Sequence, residues 1–235
     1  SFIYSVAIGD NYKMAGLLTM ISYGLAAILV CFLSEVKQEE ERRTGIKEFL
    51  VILKETIGNK YLLVFLIGIA VFNETHQTIT VFLNQLQYVR SEMSVSTIGY
   101  VYSVATVLGL CSMFSVTATK KLGKERFMRI CYMSGITACI LLAVTSRAWI
   151  SIGAIFLLRI VFSLLQPLQN ELQNRQVHTR NRATALSMNA VIIDSIGVGT
   201  NIVFGSLAKV NLPIAFVFGA GLCLIGWILF EMWNQ

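Results

Sequence analysis

Residues 61–87 read YLLVFLIGIAVFNETHQTITVFLNQLQ. The stretch opens on an apolar run from Tyr61 to Phe72. It turns polar through Asn73-Glu74-Thr75-His76-Gln77-Thr78 and becomes apolar again at Val81-Phe82-Leu83. A segment of this length crosses a hydrocarbon core of ~30 Å as a single helix. A charged side chain at the centre of such a helix costs ~2.5–3.5 kcal/mol on insertion scales, so it faces a bundle interior or an aqueous cavity. The segment is therefore read as a transmembrane helix with a functional middle, and the fold follows from asking how often the apolar block recurs.

Six further blocks of similar length lie at about residues 14–33, 96–118, 127–146, 148–169, 183–206 and 211–233. The chain has 235 residues, of which 55% are hydrophobic and only 14% charged. A soluble domain carries roughly a quarter charged residues, and a soluble helical protein would show one polar face per helix. A transmembrane β-barrel would need alternating segments of ~10 residues, which are not seen. The fold class expected is an all-α membrane bundle.

The net charge of +6 does not point to nucleic acid, because the basic residues sit mostly between the apolar blocks. Lys and Arg mark cytoplasmic loops. One set of loops holds Lys37, Arg42, Arg43, Lys47, Lys54, Lys60, Lys120, Lys121, Lys124, Arg126, Arg129, Arg175, Arg180 and Arg182. The opposite set holds Lys13, Arg90, Arg147 and Lys209. The richer side is expected to be cytoplasmic, and the C-terminus with it, in a multi-pass protein of the cell membrane. Cys31, Cys111, Cys131, Cys139 and Cys223 have no metal-ligand spacing and lie in apolar blocks, where Cys behaves as a small hydrophobe. No metal site, disulfide framework or cofactor motif is expected. A Gly-rich phosphate loop, a His-Glu-x-x-His zinc motif and a nucleophile elbow are all missing, which leaves little room for an enzyme.

Residues 1–9 are read as the tail of a truncated helix closed by the turn Gly9-Asp10-Asn11, with the natural N-terminus upstream. Between Glu35 and Lys60 the chain is charged, with Glu39-Glu40-Glu41 followed by Arg42-Arg43. Ile46, Phe49, Leu50, Leu53 and Ile57 then recur at helical spacing after a possible N-cap at Thr44. This predicts an amphipathic helix on the membrane surface or a solvated loop helix. Residues 61–146 and 148–233 each contain three spans. An odd number of crossings gives the two units opposite orientation, which is the inverted-repeat plan of transporters.

This layout resembles the major facilitator superfamily, whose two six-helix halves are joined by a long charged cytoplasmic loop. The resemblance implies that residues 1–33 are the end of helix 5 plus helix 6, that residues 34–60 are the central loop, and that residues 61–235 are the C-terminal bundle of helices 7–12. It also implies that a missing N-terminal half is the partner. Thr119-Lys120-Lys121-Leu122-Gly123-Lys124-Glu125-Arg126 resembles the second copy of the family's cytoplasmic signature, a Gly, then an Asp, then a basic-x-Gly-basic turn. Val116 stands in place of the first Gly and Lys120 in place of the Asp, so the associated charge-relay clasp is expected to be lacking. Arg182-Ala183-Thr184-Ala185-Leu186-Ser187 resembles the start of helix 11 in drug-efflux-like members.

Candidate pathway residues follow from mid-depth polarity. Asn73, Gln77, Thr80 and Asn84 share one helical face, with Glu74, Thr78 and Gln85 beside it. They line a cavity across an interrupted helix, or they bond helices together at ~0.6 kcal/mol per contact. Arg159, Ser163, Gln166 and Asn170 share a second face. A buried guanidinium needs a partner, and Glu74 and Asp194 are the carboxylates at hand, for a structural pair or for a role toward substrate and proton. Asp194 precedes Gly197, Gly199 and Gly205, small residues that allow close helix approach. Glu74 or Asp194 is expected to carry a coupling proton, with Arg159 deciding which. His76 is read as a hydrogen-bonding core residue or a proton relay, and Trp149 and Trp233 as interfacial anchors. Asn73-Glu74-Thr75 matches a glycosylation pattern at a depth that no glycosylating enzyme reaches. The expected function is secondary active transport of a small molecule by alternating access: a proton-coupled efflux permease, an importer of a sugar, nucleoside or organic acid, or, in another class, a non-transporting membrane protein. Membrane lipid, a small-molecule substrate and protons are the partners, and nucleic acid is not.

Overall fold

In the computed structural model, residues 12–32, 51, 53–54, 56–177 and 182–234 are described. Seven long helices account for nearly all of them: α1 (Tyr12–Cys31), α2 (Lys60–Arg90), α3 (Val95–Leu122), α4 (Lys124–Val144), α5 (Ala148–Gln176), α6 (Arg182–Val210) and α7 (Leu212–Asn234). No strand occurs among the described residues. Helices α2 to α7 are each long and apolar enough to cross a membrane. The chain divides into two compact units, one holding α1 with residues 94–104, the other holding α2, α3 from Ala105 onward, and α4 to α7. The expected helix tail at residues 1–9, its turn at Gly9-Asp10-Asn11 and the loop from Glu35 through Leu50 with Thr44, Ile46 and Phe49 lie outside the described residues.

The larger unit is organised around α2, the most buried of the six spans. Asn59 caps its start, the side-chain carbonyl accepting the Leu62 N–H at 3.1 Å. Such a cap satisfies one of the donors left open at a helix start. The side chains of Tyr61, Phe65, Phe230 and Trp233 pack as one aromatic cluster that ties the beginning of α2 to the end of α7. Trp233 is thus half-buried in packing at its span end, while Trp149 is exposed at the start of α5. Close approach of α2 and α7 runs through Gly68 and Gly226. A Cβ built on Gly226 would lie 3.1 Å from the Gly68 carbonyl oxygen. The hydroxyl of Tyr132 on α4 donates to that same carbonyl at 3.2 Å.

Three departures from the expected helix courses have local causes. The polar centre of α2 is not broken; the helix instead widens to π-winding over Thr78–Leu83, a form of turn found mostly at functional sites. Helix α3 tightens to 3-10 winding over Gly109–Phe114. Helix α5 runs on to Gln176 rather than ending near residue 169. It carries Pro167 in its interior, which removes one rung of the backbone ladder. Its polar extension holds the i,i+4 ion pair Glu171–Arg175 at 2.6 Å. Of the amphipathic segment before α2, Leu53 packs on Ala185 and Met188 near the start of α6, along with Val177, while Ile57 is exposed. Leu53 therefore meets protein on one side.

The basic-x-Gly-basic turn joins α3 to α4. Gly123 ends α3 with φ 78° and ψ 151°, a conformation essentially reserved for glycine and costing ~1–3 kcal/mol for other residues. A Cβ there would meet nothing within 4 Å, so strain would arise from the backbone alone. Gly123→Ala is expected to lower unfolding stability by about 2 kcal/mol, read from denaturation of the purified protein in detergent micelles. An unchanged midpoint would mean that the turn relaxes freely.

Candidate functional site

A helix turns its successive side chains by about 100°, and the middle of α2 uses this to address three neighbours and one open side. Glu74 points toward α6 and Thr75 toward α7, where its methyl lies 3.2 Å from the position a Cβ of Gly219 would take. His76 points toward α5, and Gln77 is exposed. Of the face predicted to share a cavity, Gln77 is open, Asn73 and Thr80 are half-buried and Asn84 is buried. The side-chain oxygen of Asn73 is buried without a hydrogen-bond partner.

Glu74 is 7% exposed. Asn201 Nδ2 on α6 donates to its Oε2 at 3.1 Å, and the Thr78 hydroxyl donates to the Asn201 side-chain carbonyl. Asn201 thus joins two polar residues one turn apart on α2. The carboxyl group lies directly over Gly197, since a Cβ there would stand 2.6 Å from Oε1 and 2.8 Å from Oε2. Only glycine leaves room for the acid at this crossing. Asp194, one turn before the Gly197 over which Glu74 lies, is exposed. The two carboxylates therefore share a neighbourhood but not an environment. Among the described residues the ion pairs are Arg129–Glu231 and Arg175–Glu171, so no cation neutralises Glu74.

Arg159 is not held by either carboxylate, contrary to expectation. Its Nε donates to the Ala105 carbonyl at 3.3 Å, and its guanidinium lies against Gly109, 3.2 Å from where a Cβ would be. These two positions straddle the change from α to 3-10 winding in α3. A backbone carbonyl gives the cation a dipole without a matching charge, and half-exposure supplies the remaining solvation. On the same helix Ser163 is buried, whereas Gln166 and Asn170 are exposed.

His76 stacks flat on Phe162 of α5, with ring centroids 3.8 Å apart and planes within 1°. The Thr80 hydroxyl donates to the His76 carbonyl at 2.8 Å, and its oxygen lies 3.4 Å from the ring Nε2. Since the one hydroxyl hydrogen is committed to the carbonyl, Nε2 is the donor in this pair. Nδ1 is left as a bare acceptor, buried and without a partner.

The structure brings Glu74, Thr78, Asp194 and Asn201 together at the α2–α6 crossing, and His76, Phe162 and Arg159 at the α2–α5 side. Asn201 and Phe162 carry much of this geometry and were not singled out from sequence. Asn201 falls two helical turns after Asp194, so the polar face begun at Asp194 could have been followed to it. For Phe162 the sequence carries no signal. No group of three His, Cys, Asp or Glu side chains suited to a metal ion occurs among the described residues. The arrangement sets a buried carboxyl group, amides, hydroxyls and an imidazole among these helices as hydrogen-bonding groups.

A search of curated proteins and a search of solved structures each returned no match. Residues 2–200 match the family profile described as Major Facilitator Superfamily. That match covers most of the chain, and six of its helices are long and apolar enough to cross a membrane, so the chain belongs to the Major Facilitator Superfamily of multi-pass membrane transporters.

Proposed function

We propose that this chain supplies the C-terminal six-helix wall of a proton-coupled secondary transporter that exports a small amphiphilic molecule by alternating access. Glu74 is the proton-carrying group in this reading. The observation that carries it is the carboxyl group of Glu74, buried at a helix crossing, bonded to a neutral amide, packed on a glycine and without a cation beside it. A carboxylate so placed can take and release a proton as water gains and loses access to it. Asp194 faces the open side beside it and serves as the antenna from which the proton arrives. The open face with Gln77, Asp194 and Gln166 is the wall of the central cavity, and Asn73 Oδ1 and His76 Nδ1 are unpaired acceptors buried behind it. Residues 61–235 correspond to helices 7–12, with the C-terminus and the Lys120–Arg126 turn cytoplasmic.

A second reading, import of an organic acid, is favoured by Arg159, whose charge meets a carbonyl but no carboxylate. The test is flux across proteoliposomes holding the intact transporter, with and without an imposed pH gradient, over a panel of amphiphilic cations and organic acids. Gradient-dependent extrusion of amphiphiles, abolished by a protonophore, is the expected result. Uptake restricted to acids selects the second reading. Absence of any gradient-dependent flux overturns both.

A further inference from the structure

We propose that the end of the bundle at the α3–α4 turn carries a binding site for the phosphoryl group of an anionic membrane phospholipid. The site is a cavity of about 260 Å³ between the end of α3, the start of α4 and the last third of α5. It lies well apart from the Glu74 crossing in sequence and uses none of the residues assigned to transport.

The lining has two kinds of wall. Lys120 and Lys124 stand at one side, and the positive-φ turn at Gly123 between them lets α3 end and α4 begin within one step. Neither ammonium is in an ion pair among the described residues. The one carboxylate in the lining, Glu171, is already held by Arg175 at 2.6 Å. Both lysine charges are thus uncompensated within the cavity. The hydroxyl oxygen of Thr119, also in the lining, is buried without a hydrogen-bond partner. Two cations and a free hydroxyl donor are the recognition set for a phosphate oxygen.

Val116 and Pro167 make the other wall apolar. Val116 is 58% exposed, and Met113, one turn earlier on α3, is 71% exposed. An apolar stripe therefore leads from the cavity up the outside of α3. A free phosphate would use the lysines and ignore this stripe. A phospholipid uses both, the headgroup at Lys120 and Lys124 and an acyl chain along Val116 and Met113. Basic pockets between membrane helices commonly take anionic headgroups.

The experiment is native mass spectrometry of the intact transporter released from nanodiscs. The discs contain phosphatidylcholine alone, phosphatidylcholine with phosphatidylglycerol, or phosphatidylcholine with added inorganic phosphate. Retention of phosphatidylglycerol over phosphatidylcholine is expected, falling about fivefold for each lysine in Lys120→Gln and Lys124→Gln and falling as salt is raised. Thr119→Val is expected to lower retention as well, with the melting temperature in phosphatidylcholine discs unchanged. Equal retention of the two lipids, or retention in the double lysine variant at the wild-type level, overturns the proposal. Displacement of phosphatidylglycerol by millimolar inorganic phosphate overturns the lipid assignment in favour of a free anion. Should the double variant not fold, the salt series on the unmodified protein decides, since salt-independent retention contradicts a lysine-held phosphate.

Discussion

Glu74→Gln removes pH-gradient-driven flux from the intact transporter by at least about tenfold, a change of ~1.4 kcal/mol or more in the coupled step, while the bundle stays folded. Glutamine has the same shape as the acid and keeps a carbonyl oxygen for the Asn201 amide, which now donates to the Glu74 carboxylate at 3.1 Å. It still fits over Gly197, where no Cβ intrudes. What it lacks is a site for a proton. Substrate exchange without a gradient should therefore persist, and this separates loss of coupling from loss of structure. Asp194→Asn is expected to have the smaller effect, because that side chain is exposed and no hydrogen bond to it is formed across the crossing. Gradient-driven flux at the wild-type level in Glu74→Gln would remove Glu74 from the coupling role. Its disappearance in Asp194→Asn alone would transfer that role to Asp194.

How far the sequence predicted this arrangement depends on which physical signal was being read. Apolar block length located α2 to α7 within a few residues at most ends, because hydrocarbon thickness sets a length that local composition must match. It failed at the end of α5, where Gln169 to Gln176, all polar but Leu172, are helical. There the Glu171–Arg175 pair supports the helix beyond the apolar block. Periodicity groups Asn73 with Gln77, Thr80 and Asn84, yet their exposure runs from open at Gln77 to buried at Asn84, and periodicity cannot say which neighbour each face meets. The separation of Glu74, Thr75 and His76 among α6, α7 and α5 is decided by tertiary packing. The partner of Arg159 was misjudged for a related reason. A rule that pairs cations with carboxylates does not consider backbone carbonyls, and the Ala105 carbonyl has no sequence signature. The π-winding over Thr78–Leu83 was anticipated only as an interruption, since its polar residues signal a departure from regular winding but not which departure.

Gly226→Leu is expected to cost about 3 kcal/mol of unfolding stability, at the upper end of overpacking substitutions. The position lies where three helices meet. A Cβ on Gly226 would stand 2.8 Å from the Tyr132 ring edge, 3.1 Å from the Gly68 carbonyl oxygen and 3.2 Å from a Val71 methyl. Tyr132 is fully buried and stacked edge-on against Phe72, with centroids 5.0 Å apart, so its ring has nowhere to move. Backbone on one side and a locked ring on the other leave only separation of α2 from α7. That separation also lengthens the Tyr132–Gly68 hydrogen bond, now 3.2 Å, for a further loss of ~0.6 kcal/mol typical of such bonds within membranes. Gly221→Leu on the same helix is the control, because a Cβ there meets nothing within 4 Å. Unfolding both variants in mixed micelles should show Gly226→Leu strongly destabilised and Gly221→Leu close to wild type. Equal midpoints would mean that α2 and α7 can slide apart freely. In that case the backbone of α2 could not hold Glu74 in register with Gly197 and Asn201, so the stability of this glycine contact is also a condition on the Glu74 crossing one and a half turns further along the helix.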